Sequence, residues 1–291
     1  MWSKKPAVRF VSALLVVLTL AFCVPFSVYA DKESQSVFTD SPECTSIDTT
    51  VNGRLSSPGY SYLDTLWFSF TDLFRMLQGD YLIFFGEDGT VEVSGDDLYL
   101  FCSPDGYLCC NNRYVYLPNG FLTANEKLYL DCDTMEFLLN VRIAESDVSG
   151  CVEISAEEWS FPENGLTYYQ QFSMEDLYWL CHIIHSEAGH SVLKGRLAVG
   201  NVVMNRVASD KFPNTIHEVI FDDKVTVQFQ PVYEGNVMDT PDELSVVAAY
   251  LALENYNVVK DAVYFFEPYV ETPWLEEDDF VCKIGYHLFY R

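Results

Sequence analysis

LCHIIHSEAGHSVLKGRLAVGNVVMNR, residues 180–206, decides the reading of this chain. On an ideal helix Leu180, Ile183 and Ile184 share the side that carries Glu187, and Leu177, Cys181 and Ala188 widen it into one apolar arc. A carboxylate in such an arc is costly unless it is paired, protonated or put to use. Gly189 then ends the helix and leaves Glu187 in its last turn, where the helix dipole disfavours a negative charge. Both effects predict a raised carboxyl pKa, the property a general acid needs at neutral pH. From the residues alone, the alternative is a structural carboxylate paired with Arg196 or Arg206.

Working outward, Ser173 and Asp176 predict a capped helix over Met174 to Ala188. A second helix fits about Val192 to Val207, with Gly195, Ala198 and Gly200 allowing close packing. Thr215 with Glu218 caps a short helix. Thr240-Pro241-Asp242-Glu243 reads as another capping box, with proline at the first helical position, for a helix to about Asn255. Strands fit Ala262 to Phe266, Phe280 to Ile284 and His287 to Tyr290, the last two turned by Gly285. Helices followed by strands make this domain α+β, closed by a short C-terminal β-hairpin.

Upstream lies a degenerate internal repeat. LWFSFTDLFRMLQGDYLIFFGEDGTVEVS (Leu66 to Ser94) and LYLDCDTMEFLLNVRIAESDVSGCVEIS (Leu128 to Ser155) each read as a strand, a short helix ending near Leu77 or Leu139, and two more strands. The expected plan is therefore a leader over residues 1–30, a β-rich α+β repeat module over 31–160, a linker over 161–172 and the helix-rich domain over 173–291. The repeat resembles the copper amine oxidase N-terminal-like module of exported Firmicutes proteins, on the periodicity of both copies and of NNRYVYLPNGFLTANEKLYL (Asn111 to Leu130). No copper ligands accompany it.

Lys4, Lys5 and Arg9, the apolar run Phe10 to Phe26 and Val28-Tyr29-Ala30 form a secretory signal, so the mature chain is expected outside the cell, beginning near Asp31. The composition of the full chain is extreme, with 17 Lys and Arg against 43 Asp and Glu and a net charge of −26. That excludes nucleic acid as a partner. The aromatic and apolar content excludes disorder. An acidic protein on an anionic wall polymer is repelled at long range, so bound cations or moderate salt matter. Of nine cysteines, Cys23 leaves with the leader. Cys181 with Cys282 is the simplest disulfide for the C-terminal domain, with free buried thiols as the alternative.

HSEAGHSVLKGRLAVGNVVMNRV, KFPNTIHEVIF, VQFQPV, DAVYFFEP and IGYHLFYR, in that order, resemble the SleB/CwlJ-type cell wall hydrolases, which include the spore cortex-lytic enzymes. The likeness spans about Asp176 to Arg291. It implies a lysozyme-like catalytic domain, a peptidoglycan glycan-strand substrate, lytic transglycosylase-type cleavage and Glu187 as the catalytic glutamate. Such an enzyme would act in cell wall or spore cortex remodelling, need no cofactor, and touch the membrane only transiently through its signal peptide. The repeat module would meet a wall or spore-coat partner. Two departures stand out. The usual GQFSP or GQFTP is Val227-Gln228-Phe229-Gln230-Pro231 here, and PWLEEDD (Pro273 to Asp279) replaces an aromatic and basic segment.

Gln228, Phe229, Asn205, Tyr264 and His287 are the candidate substrate-binding residues. Gln228 can exchange hydrogen bonds with a sugar, and Phe229 can stack on one or fill the core. Asn205 ends the second helix, while Tyr264 and His287 lie on strands flanking the expected cleft. A second carboxylate for hydrolysis would come from Asp222, Asp223, Glu234 or Asp239, all in acidic loop-like contexts where solvated surface charge is the plainer reading. His182, His185, Glu187 and His190 invite a metal, but HExxH is absent and His182 and His185 lie roughly opposite Glu187 on the helix, so no metal site is expected. A non-catalytic wall-binding or spore-structural protein is the remaining class.

Overall fold

The structure is a computed structural model that describes residues 38–95, 98–146, 150–161, 173–222, 229, 232, 234–270 and 276–291. The expected leader and almost all of the expected linker lie outside the described residues. No described helix is long and apolar enough to cross a membrane.

The N-terminal part is built on two sheets. Its strands are β1 (Thr45–Val51), β2 (Arg54–Leu55), β3 (Gly59–Tyr62), β4 (Thr65–Ser69), β5 (Leu82–Phe85), β6 (Val91–Gly95), β7 (Leu98–Ser103), β8 (Tyr107–Cys110), β9 (Arg113–Tyr116), β10 (Leu122–Ala124), β11 (Lys127–Asp131), β12 (Arg142–Glu145) and β13 (Cys151–Ser155). Helix α1 (Phe70–Leu77) follows β4 and α2 (Cys132–Leu139) follows β11. Both repeat copies thus fold as strand, eight-residue helix and two strands. The caps fall at equivalent repeat positions. Ser69 accepts a hydrogen bond from the Asp72 amide at 3.1 Å, and Asp131 from the Thr134 amide at 2.8 Å.

Strands β4 and β11 pair antiparallel with Phe68 opposite Leu130, Trp67 opposite Asp131 and Ser69 opposite Tyr129, a register that relates the copies by a local twofold. The copies part company after their helices. The β12–β13 hairpin joins the larger sheet, ordered β10-β11-β4-β3-β1-β13-β12, whereas β5 and β6 start a separate five-stranded meander, β5-β6-β7-β8-β9. One face of the meander (Val93, Leu100, Cys102, Leu108) is buried with Phe70, Phe74, Leu128, Leu138 and Ile154 in a common core.

The C-terminal part carries α3 (Met174–Ala188), α4 (Leu193–Val207), α5 (Ile216–Ile220), α6 (Glu243–Leu253) and strands β14 (Tyr264–Phe266), β15 (Phe280–Ile284) and β16 (His287–Tyr290). Ser173 and Asp176 form the expected capping box, and Thr215 caps α5. One cap differs from expectation. Helix α6 is capped by Asp242, not by Thr240, because the Asp242 carboxylate accepts from both the Ser245 amide and Arg196. The expected hairpin is part of a three-stranded sheet, with β14 paired to β16. The architecture is α+β throughout.

Helices α3, α4 and α6 bury a shared core of Leu180, Ile183, Ile184, Val199, Val203 and Ala248. Gly200 lets them close: a Cβ built there would lie 2.9 Å from Ile184 Cδ1 and 3.2 Å from Ala252 Cβ. The meander also reaches this core. Tyr114 stacks on Tyr250 of α6 at 5.3 Å, Tyr116 meets Tyr256 at 6.5 Å, and Arg113 Nη2 pairs with Glu254 at 2.9 Å.

The expected Cys181–Cys282 bridge does not form. Both are free thiols in separate cores, and the Cys181 thiol donates to the Tyr178 carbonyl at 3.1 Å. Gly200→Val should overpack the helix junction and lower unfolding free energy by about 1–3 kcal/mol, read as a lower urea midpoint at unchanged m.

Candidate active site

Glu187 sits in the last turn of α3, whose Leu177, Leu180, Cys181, Ile183, Ile184 and Ala188 are all buried, so the apolar arc read in the sequence is the helix's packed side. Gly189 receives the chain with φ −57°, and its amide donates to the His185 carbonyl at 2.8 Å. The turn into α4 has no side-chain cap at Val192. Arg196, itself buried, holds it instead. Its guanidinium donates to the carbonyls of Ser191 (2.8 Å) and Gly189, to Ser245 Oγ (2.6 Å) and to the Asp242 carboxylate. Burial alone would raise the Asp242 carboxyl, but the bonds from Arg196 and Ser245 outweigh it and hold it well below the usual carboxylate range. Arg196 is thus committed to the α3–α4 turn and the α6 cap, not to Glu187.

Glu187 forms no ion pair among the described residues. Burial pushes its carboxyl up to about 7, against the pull of the Arg206 charge, and the charge of Glu234 adds to the rise. Arg206, at the end of α4, is 3% exposed. Its Nε donates to the Val263 carbonyl at 2.7 Å, while Nη1 is buried without a hydrogen-bond partner. The rings of Phe229, Phe212 and Tyr264 surround the guanidinium at 5.0, 5.1 and 5.7 Å. Burial lowers Arg206 to about 10, opposed by Tyr264, Asp222 and Glu187, so it stays a cation at neutral pH. An unpaired acid and a caged, incompletely bonded cation therefore act on each other through space.

The other sequence candidates separate. Tyr264 belongs to the Arg206 cage. Phe229 is 1% exposed beneath Arg206, so it fills the core and offers no sugar a face. Asn205 is a fold residue: its amide donates to the carbonyls of Lys260 and Ala262, both at 2.8 Å, and accepts from Asn257. His287 packs edge-on against Phe265 at 5.1 Å, and burial lowers its pKa against the opposing charge of Glu267. Gln228 and Asp223 lie outside the described residues. Of the remaining carboxylates, Glu234 is exposed and accepts from Asn236 at 3.3 Å, yet its charge reaches Glu187.

The histidines of HIIHSEAGH face different surroundings. His182 Nδ1 hydrogen-bonds the Val237 carbonyl at 2.8 Å and its ring lies on Tyr178 at 4.2 Å. His185 Nδ1 accepts from the Asp242 amide at 3.4 Å, and His190 is exposed. Sequence reasoning offered Arg206 as one of two alternative ion-pair partners of Glu187, not as a charge held apart from it. The position of Arg206 in VVMNR, within the motif-matched segment, was the available signal; the cage drawn from three distant segments was not legible.

Residues 191–290 match the Cell Wall Hydrolase family, a segment that begins just after Glu187. The chain is 31% identical over 137 residues to the spore cortex-lytic enzyme of Bacillus cereus, covering 46% of this chain and 52% of that protein. With the Bacillus subtilis spore cortex-lytic enzyme it shares 30% over 119 residues, 40% of this chain and 38% of the other. The chain thus spans about half or less of these relatives' length. Among solved structures, the catalytic domain of the germination-specific lytic transglycosylase SleB from Bacillus anthracis is 30% identical, with a TM-score of 0.38, 42% of this chain covered and 98% of that one. The C-terminal region of the chain is a cell wall hydrolase domain.

Burial of Glu187 also makes a stability prediction. Below its ordinary pKa of 4.5 the acid is neutral folded or unfolded, and above about 7 the folded state must hold a desolvated carboxylate. Wild type should therefore lose stability relative to Glu187→Gln as pH rises from 4.5 to beyond 7, by up to about 3 kcal/mol. Urea unfolding at pH 4 and pH 8 reads this directly, and a gap independent of pH contradicts it.

Proposed function

We propose that the chain is an exported peptidoglycan-cleaving enzyme of lytic transglycosylase type, with Glu187 as its single general acid and base. The observation that carries this reading is the partly buried carboxyl held near pKa 7 beside a cation that it does not bind. At neutral pH such a group is about half protonated, so it can give a proton and take one back. In the first step Glu187 protonates the glycosidic oxygen as the C1–O bond breaks. The C6 hydroxyl of the same muramoyl sugar then attacks C1 and surrenders its proton to the Glu187 carboxylate. A 1,6-anhydro end forms, no water is consumed and the acid is restored. Arg206 eases the interval in which Glu187 is charged.

The domain plan fits this role. A signal over 1–30 would export the chain, a module over 31–160 of copper amine oxidase N-terminal-like kind would face the wall, 161–172 would link, and 173–291 would be the lysozyme-like catalytic domain. The substrate is the glycan strand of the cell wall or spore cortex. Glu234 supports one second reading, hydrolysis with two carboxylates, because its charge reaches Glu187.

Digestion of purified cortex and vegetative peptidoglycan, with mass analysis of the muropeptides, tests the proposal. Anhydro ends, lighter by one water, are expected, and Glu187→Gln should slow their release by about 10²–10⁴-fold. Reducing ends would assign the chain to hydrolysis with Glu234. No cleavage of either wall, or full activity in Glu187→Gln, would overturn the assignment.

The pH profile offers an independent check. The kcat/KM should fall as pH rises through about 7, since only the protonated acid starts the reaction. A profile flat to pH 9 would exclude Glu187 as the acid.

A further inference from the structure

The five-stranded meander has one buried face and one that is covered only in part. On that second face β8 and β9 lie under the C-terminal domain, where Tyr114 stacks on Tyr250. Cover then ends. Phe101 on β7 is half-buried against the C-terminal core, whereas Tyr99 on β7 is 49% exposed, and Phe84 and Leu82 on the edge strand β5 are 64% and 76% exposed. The strand register places these side chains in two rows. Phe84 is opposite Glu92, which is opposite Phe101; Leu82 is opposite Ser94, which is opposite Tyr99.

An uncovered apolar edge strand is a liability that proteins normally blunt with charge. This chain has 43 acidic residues to do so, yet Glu92 is the one charged side chain in either row. Its carboxylate accepts from the Tyr99 hydroxyl at 3.5 Å, which leaves a carboxylate and a phenol side by side among the rings. Exposed apolar side chains and rings interrupted by a few hydrogen-bonding groups suit sugar rings, which are apolar on their faces and hydroxylated at their edges. Residues two strands apart are about 10 Å apart at the strand spacing of about 4.8 Å. Leu82 and Tyr99, both exposed and two strands apart, therefore fall at about the spacing of alternate sugars in an extended β-1,4-linked chain. A second copy of this protein is a poor occupant, since each carries a net charge of −26. The same charge keeps acidic stem peptides away and leaves the neutral glycan backbone as the part of the polymer the face can hold.

We propose that the open half of this face, centred on Phe84, Glu92 and Tyr99, is a glycan-strand platform continuous with the packing face of the C-terminal domain. It would hold the polymer against the long-range repulsion and feed it to the cleaving domain. The proposal rests on the glycan-cleavage reading above, and binding measured without turnover separates the two.

The full chain carrying Glu187→Gln should co-sediment with purified sacculi freed of teichoic acid. Adding Phe84→Ser and Tyr99→Ser, both at exposed positions, should raise the dissociation constant about tenfold or more with no change in melting temperature. Unchanged binding would overturn the platform, as would a parent dimer in sedimentation equilibrium that these substitutions dissociate. Titration of the parent with the N-acetylglucosamine hexamer gives a readout that needs no platform variant. Amide shifts at Glu92 and Tyr99 are expected, and shifts confined to the C-terminal domain would overturn the proposal. If sacculi bind but wild type leaves every glycan bond intact, the cleavage reading fails and the platform stands.

Discussion

Glu187 and Arg206 occupy one partly dry space without touching, and the chemistry proposed for the site depends on that separation. A direct ion pair would fix Glu187 as a carboxylate and remove it as an acid. Full burial without any cation would make it too weak an acid to protonate a glycosidic oxygen in a useful pH range. Placing the guanidinium inside a cage of Phe212, Phe229 and Tyr264, tied to the Val263 carbonyl, keeps its charge near but its donors away. The result is a carboxyl near 7, where both protonation states are populated.

The surrounding fold serves to hold those two groups. Glu187 is fixed by a helix packed on its apolar side and by the Arg196 bonds that clamp the following turn to the start of α6. Arg206 is fixed by α4, which approaches α3 and α6 closely enough that Gly200 has no room for a larger side chain. Helix α6 is in turn braced from outside by the meander through Tyr114, Tyr116 and Arg113. The N-terminal part is thus packed against the scaffold that holds Glu187 and Arg206, and its open sheet face begins where that packing ends.

Helix boundaries were legible where caps and periodicity agree, as at Ser173 with Asp176 and at Thr215 with Glu218. The cap of α6 was not, because the choice of Asp242 over Thr240 is made by Arg196, a long-range partner. The internal repeat announced the two strand–helix–strand–strand units, but nothing local could say that the second hairpin would join the larger sheet and the first a separate one. At the site, Glu187 was visible from its own helix. The burial of Phe229 under Arg206 and the hold of Asn205 on the Lys260 and Ala262 carbonyls come from other segments and were not legible in the residues themselves. A residue's type suggests what it can bind, while its neighbours decide whether it is available.

The most direct test of this account is to titrate the Glu187 side-chain carboxyl by carbon-13 NMR in the substrate-free protein, alongside Arg206→Met. A wild-type midpoint close to 7 that climbs further when the Arg206 charge is removed would establish the acid and its tuning. A midpoint at the ordinary 4.5, or one that ignores Arg206, would contradict both.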